Sequence, residues 1–157
     1  MDLLACLPRK VLVTDHVEAE IAETYPVQKA CYAAALAAHH LDVCTVSNPE
    51  EIELFARLSP GVRLGAGECS AIAVAVHRQH ALAIDDHRAV KLARREVRMD
   101  IDILQTPDLM LELIKSGAIS LEEADAIKAD WANHHRFMVT LARKCTPSGN
   151  EKLHPQA

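Results

Sequence analysis

The sequence predicts an α/β domain, with a mostly parallel sheet of short strands covered by helices on both faces. Three observations carry that prediction. Apolar runs of strand length recur along the chain: Val11-Leu12-Val13, Val43-Cys44-Thr45-Val46, Leu82-Ala83-Ile84 and Ile101-Asp102-Ile103-Leu104. Helix-length stretches with their own start signals lie between them. Acids stand where strands end, Asp15 after the first run and Asp85-Asp86 after the third, which is where sites gather in such folds.

The elements follow in order. Thr14 or Asp15 caps a helix that runs to about Thr24, with Val17 and Ile21 on one face. Pro26 opens a second helix that continues to His39-His40. Ser47 and Asn48 before Pro49-Glu50-Glu51 start a third: a cap, a proline in the first turn, and acids against the dipole. It ends near Leu58, and Ser59-Pro60-Gly61 is a loop. From about Gly67 to His80 the pattern is helical and apolar on most sides, as in a helix buried against a sheet. Residues 86–97 form an amphipathic helix with Val90, Leu92, Ala93 and Val97 inward and basic residues outward. Thr106-Pro107-Asp108 opens a helix to Lys115, with Gly117 as its C-cap. Ser120-Leu121-Glu122-Glu123 is a capping-box-like start for a last helix to about His135. Residues 1–145 read as one domain, and the Pro-, Ser-, Gly- and Asn-containing tail 146–157 reads as disordered.

Composition narrows the class. The 157 residues can bury a real core, but with two Phe, two Tyr and one Trp it must be built from Ala, Leu, Ile and Val. The formal charge of −5 gives no global basic footprint, which counts against a dedicated nucleic-acid binder. A local basic patch remains in Arg88, Lys91, Arg94, Arg95 and Arg98. Five cysteines without a C-x-x-C pair point away from a disulfide framework or structural zinc, and toward a reducing cytoplasm. No signal peptide is expected in residues 1–10. No stretch approaches the roughly 20 apolar residues of a membrane span.

The carboxylates carry the chemistry. Leu64-Gly65-Ala66-Gly67-Glu68 is a glycine-rich turn that opens the buried helix with a glutamate in its first turn. Leu82-Ala83-Ile84 then delivers Asp85 and Asp86. Mg²⁺ and Mn²⁺ take oxygen ligands, often one or two carboxylates plus water and substrate phosphate. Clustered acids raise each other's pKa and are costly to hold without a cation. Such a cluster suits metal-assisted phosphodiester hydrolysis. Each residue also has a plainer reading. Glu68 can be a dipole partner, Asp85 and Asp86 strand-to-helix caps, and Glu20 a solvated helix acid beside Glu18 and Glu23. Asp15 reads as an N-cap, Cys69 as a core thiol, and Ser70 and Thr106 as capping, packing or water-orienting hydroxyls. His39-His40 and His134-His135 diverge by about 100° on a helix, so neither pair chelates from one face. His16, His77, His80 and His87 could approach the acids but read as surface residues. The basic face of 86–97 is a solvated surface or a track for phosphates.

The run Gly65-x-Gly67-Glu68-x-x-Ala71-Ile72-Ala73-x-Ala75, then Leu82-x-Ile84-Asp85-Asp86-x-Arg88-Ala89-x-x-x-Ala93, resembles the PIN-domain superfamily. It is most similar to the subgroup of predicted nucleic-acid-binding proteins, DUF3368. Leu109-x-Leu111-x-x-x-Lys115-x-Gly117-Ala118-Ile119 and Val11-Leu12-Val13 with Val17-x-x-Glu20-Ile21 extend the likeness over about residues 3–137. The resemblance implies a three-layer α/β/α sandwich on a parallel sheet. It implies a Mg²⁺- or Mn²⁺-dependent ribonuclease, in many members the toxin of a toxin–antitoxin pair. Glu20 falls at the second acid, Glu68 at the third, and Asp86, or its neighbour Asp85, at the fourth; Arg88, Lys91 and Arg95 would meet RNA. The family's first strand and first acid have no counterpart, because Met1-Asp2-Leu3-Leu4 resembles the helix after that strand. Taking Lys10–Asp15 as the first strand, with Asp15 as first acid, fits the spacing to Glu68 less well. An incomplete acid set implies an alternative: an inactive PIN-like module that works through protein contacts, as a homo-oligomer or bound to an antitoxin protein. Loss of the central strand would leave apolar edges for another strand or a second copy to fill.

Overall fold

The computed structural model describes residues 3–24, 26–59, 64–96 and 101–134. After a short 3-10 turn at Leu4–Cys6 come β1 (Val11–Thr14), α1 (Asp15–Thr24), α2 (Pro26–Ala37), β2 (Leu41–Cys44), α3 (Pro49–Leu58) and α4 (Ala66–Arg78). β3 (Leu82–Ala83), α5 (His87–Glu96), β4 (Ile103–Leu104), α6 (Thr106–Lys115) and α7 (Leu121–His134) complete the chain. This is the expected mixed α/β fold of helices and short parallel strands.

The strands fall into two parallel pairs. β1 lies beside β2, with Val11 opposite Leu41 and Thr14 opposite Cys44. β3 lies beside β4, with Leu82 opposite Ile103. Among the described residues no strand joins the pairs. Helix α4 packs against both β1 and β3 and so spans the two halves.

The main core lies around α4. Ile72 and Ala73 are wholly buried there, with Cys69 and Ala75, against Leu54 and Leu58 of α3, Leu82 of β3, and Ala89, Leu92 and Ala93 of α5. Burying a Leu or Ile side chain contributes about 1.5–3 kcal/mol, so this cluster anchors the helix that carries Glu68. The small residues expected from composition let α3, α4 and α5 approach closely. A second cluster joins Met110 and Leu113 of α6 to Ile119 and Ala124, with Leu3, Cys6, Leu7 and Trp131 packed on it.

The helix ends show which local signals win. Asn48 caps α3 by accepting the Glu51 N–H at 2.8 Å, with Pro49 in the first turn. Ser120 and Glu123 exchange hydrogen bonds across the start of α7. Gly117, at φ 74°, turns the chain out of α6. Three expectations are corrected. α2 ends at Ala37, short of His39-His40, because His39 takes φ 57° and the His40 N–H folds back to the Ala35 carbonyl at 2.9 Å. That frees Leu41 and Asp42 to start β2 two residues earlier than the apolar run predicts, and the strand stops at Cys44. The cap of α1 is Thr14, whose hydroxyl accepts the Val17 N–H at 3.4 Å; Asp15 instead accepts from its neighbour His16. Val97, Arg98, His135 and the tail 146–157 lie outside the described residues.

Helix α2 packs in an unusual way. Only Ala35 is buried, with Tyr32 and Leu36 half-buried on the same side. Val27, Ala30, Cys31, Ala34 and Ala37 occupy the opposite side, and all are exposed. Surface helices usually turn polar residues outward; this one turns out an apolar face.

Candidate functional site

Glu20 comes from the second half of α1, and Glu68 from the first turn of α4. Gly65 caps α4, and Gly67 is the second residue of that helix. The Gly67 N–H donates to Glu20 Oε1 at 2.9 Å. A Cβ placed on Gly65 would meet Glu68 Oε2 at 2.6 Å and Glu20 Oε1 at 3.1 Å. One on Gly67 would meet Glu20 Oε2 at 2.7 Å. The two carboxylates therefore crowd a hollow that exists only because both positions lack a side chain. The positive end of the α4 dipole lies beneath them and offsets part of their repulsion.

The aspartates after β3 are engaged elsewhere. Asp85 accepts the Thr106 backbone N–H at 2.9 Å and the Thr106 hydroxyl, pinning the end of β3 to the start of α6. Asp86 caps α5, accepting the Ala89 N–H at 2.9 Å and the Arg88 N–H at 2.8 Å. The Ala89 bond, joined by the Arg88 N–H and by the Arg88 and His87 charges, holds the Asp86 carboxyl below the usual range. Among the described residues no group of three or more His, Cys, Asp or Glu is gathered as for a metal. The fold thus brings Glu20 and Glu68 together and gives Asp85 and Asp86 capping bonds.

Beneath the acid pair runs a buried hydroxyl relay absent from the sequence reading. Ser70 is fully buried, and its hydroxyl donates to the Gly67 carbonyl at 2.8 Å. Thr14 Oγ1 lies 2.6 Å from Ser70 Oγ. Ser70 has one hydroxyl proton and it is committed to Gly67, so Thr14 donates and Ser70 accepts. Cys69 is buried, and burial, followed by the nearby Glu68 charge, pushes its thiol up, opposed by a hydrogen bond with Ser59. That is a core thiol. His16 turns to Asp15 and tilts over the Phe55 ring, with centroids 4.7 Å apart. Arg88, Lys91 and Arg95 are exposed along α5, whose Val90, Leu92 and Ala93 are buried.

Parallel strands linked through helices, with acids at the mouth of a buried helix, define a PIN-like α/β domain. The chain belongs to the DUF3368 family, a PIN domain, whose family model matches residues 1–137. No curated protein and no solved structure matches it. Among the described residues no helix is long and apolar enough to cross a membrane.

Proposed function

We propose that this chain is a PIN-like ribonuclease that uses Mg²⁺ or Mn²⁺ to hydrolyse phosphodiester bonds. The observation that carries the reading is the carboxylate pair over the Gly65–Gly67 hollow. Two hard oxygen donors drawn together over glycines that carry no Cβ suit either cation. Glu20 and Glu68 would hold the ion. Asp86, or its neighbour Asp85, would serve as a further acid only on leaving its capping bonds, at the strand end where ligands of such folds gather. When bound, the ion supplies water activation and neutralises charge on the leaving oxygen. Glu20 also fixes the first turn of α4 through Gly67. Arg88, Lys91 and Arg95 attract the RNA backbone to a face of an otherwise acidic molecule. A cytoplasmic RNA substrate and control by an antitoxin protein accord with this reading.

The test is thermal unfolding with and without Mn²⁺, together with an RNA cleavage assay. Mn²⁺ should raise the melting temperature, and Glu68→Gln should abolish that rise. No metal-dependent stabilisation and no cleavage at millimolar Mn²⁺ would sink the proposal.

One observation favours a second reading, that of an inactive module acting through protein contacts. The outward face of α2 is apolar from Val27 to Ala37, and apolar surface of this kind marks interaction sites. A homo-oligomer built on α2 is compatible with either activity state.

A further inference from the structure

We infer that Thr14 and Ser70 are positioning residues for the Glu20–Glu68 pair. The inference rests on the metal-site reading of that pair. The β1–α1 segment is fastened to the start of α4 at two points. One is the Glu20–Gly67 bond at 2.9 Å, and the other is the Thr14–Ser70 bond at 2.6 Å. Thr14, the last residue of β1 and the cap of α1, lies six residues before Glu20.

The two ties differ in what a cation would do to them. Glu20 Oε1 is both the acceptor from Gly67 and one of the oxygens crowding the Gly65 hollow. A cation held by Glu20 and Glu68 would draw on that oxygen, and this tie would weaken when the site is used. The hydroxyl tie is buried, carries no charge and faces no such competitor. Thr14 is 4 % exposed and Ser70 0 %. It also acts at the right place, because Ser70 holds the carbonyl of Gly67, in the peptide unit that continues into Glu68. Thr14 is in turn fixed by the Val17 N–H at the start of α1. The relay therefore runs from the helix bearing Glu20 to the peptide bearing Glu68. It would hold the two carboxylates in place if a cation drew Glu20 away from Gly67.

The plainer account is a buried hydroxyl pair that only stabilises. The experiment separates the two. Mn²⁺ binding to the full chain is titrated by electron paramagnetic resonance of the free ion. The temperature is one at which circular dichroism shows every variant folded. Thr14→Val and Ser70→Ala should each weaken Mn²⁺ binding roughly 10- to 100-fold, the range seen when groups supporting metal ligands are removed. Thr14→Ser keeps the donor and should restore wild-type affinity, and it serves if the valine variant does not fold. Folded Thr14→Val and Ser70→Ala proteins that bind Mn²⁺ like wild type would overturn the positioning role and leave the metal-site reading standing. A wild-type chain that binds no Mn²⁺, or that binds it equally well as Glu68→Gln, would overturn both.

Discussion

Glu51 of α3 and Arg78 of α4 are joined by two hydrogen bonds, Nε to Oε1 at 2.6 Å and Nη2 to Oε2 at 3.0 Å, with the carboxylate wholly buried. The Ser47 N–H and the Asn48 side chain also donate to it, each at 3.0 Å. Arg78 reaches on to the Thr45 carbonyl at 2.7 Å. This network locks the far end of α4 to the β2–α3 connection, and so fixes the helix whose other end presents Glu68. Arg78 above all, against the cost of burial, holds the Glu51 carboxyl down at about 2, from an ordinary 4.5. Its folded-state pKa is depressed, so its contribution to stability is complete above about pH 4.5 and is lost as pH falls toward 2. Urea midpoints measured across that window should fall in the wild type and fall less in Glu51→Gln. Arg78→Met leaves a buried carboxylate unpaired and should cost about 3 kcal/mol, the low end for such a loss because Arg78 is partly solvated. Equal acid sensitivity of wild type and Glu51→Gln would contradict this.

Gly67→Ala separates site geometry from stability. The new Cβ would sit 2.7 Å from Glu20 Oε2, and the carboxylate, at the end of a flexible exposed chain, is what gives way. Exchanging glycine for alanine in a helix gains roughly 0.5–1 kcal/mol. Losing the Glu20–Gly67 hydrogen bond costs about 1 kcal/mol. The two nearly cancel, so the melting temperature without metal should stay within a few degrees of wild type. The Mn²⁺-induced rise should disappear. A variant that keeps the rise would show that the hollow is not where the ion sits.

Most of the fold was legible because its signals are local. Asn48-Pro49, Ser120–Glu123 and Gly117 each decide a helix end within four residues, and apolar runs mark the strands. The end of α2 was not legible, since His39 adopts a left-handed conformation without the glycine that would announce it. Glu51 read as an ordinary first-turn acid; its burial depends on Arg78, 27 residues later. For the same reason Thr14 and Ser70, 56 residues apart, read separately, as a helix cap and as a capping, packing or water-orienting hydroxyl. Within the candidate site, Glu68 stood out from its glycines. Glu20 was visible only through family resemblance, because nothing in Glu18-Ala19-Glu20 marks the one acid that reaches Gly67.

Asp85 and Asp86 can be told apart by what each substitution disturbs. Asp86→Ala removes the α5 cap, whereas Asp86→Asn keeps an acceptor for the Ala89 and Arg88 amides. The alanine variant should therefore melt a few degrees lower and the asparagine variant close to wild type. With its carboxyl held below the usual range, the charged form of Asp86 favours folding, and that contribution should fade as pH drops through the carboxylate region. Asp85→Asn should loosen the β3–α6 link through Thr106. The Mn²⁺-induced rise then assigns the fourth acid: Asp86→Asn should abolish it and Asp85→Asn should only reduce it. The reverse order would move the role to Asp85.

The α5 face predicts a salt signature. If Arg88 and Lys91 bind phosphates, Arg88→Glu and Lys91→Glu should weaken binding to single-stranded RNA uniformly across sequences. Each should also lower the slope of log affinity against log salt by about 0.7 for every phosphate left unneutralised. Both residues are exposed on a helix held by Val90, Leu92 and Ala93, so melting temperatures should not change. Fluorescence anisotropy at several salt concentrations checks this. An unchanged slope would make the basic face a solvated surface only.

The outward face of α2 predicts association between copies. Val27 is 76 % exposed, and Ala30, Cys31, Ala34 and Ala37 continue its stripe. With no charge on the stripe itself, the same face of a second copy matches it, and an antiparallel pairing sets each helix dipole against its opposite. Two such helices packed along their length would remove on the order of 500 Å² per chain, near the low end for a specific dimer. The dimer should accordingly be weak and concentration-dependent in sedimentation. Val27→Glu should shift it to monomer with little change in melting temperature, because Val27 is mostly solvated in the protomer. Leu121 is also apolar and 68 % exposed, at the start of α7, so Leu121→Glu controls for general stickiness and should leave association intact. Loss of association in both variants, or in neither, would remove α2 as the interface.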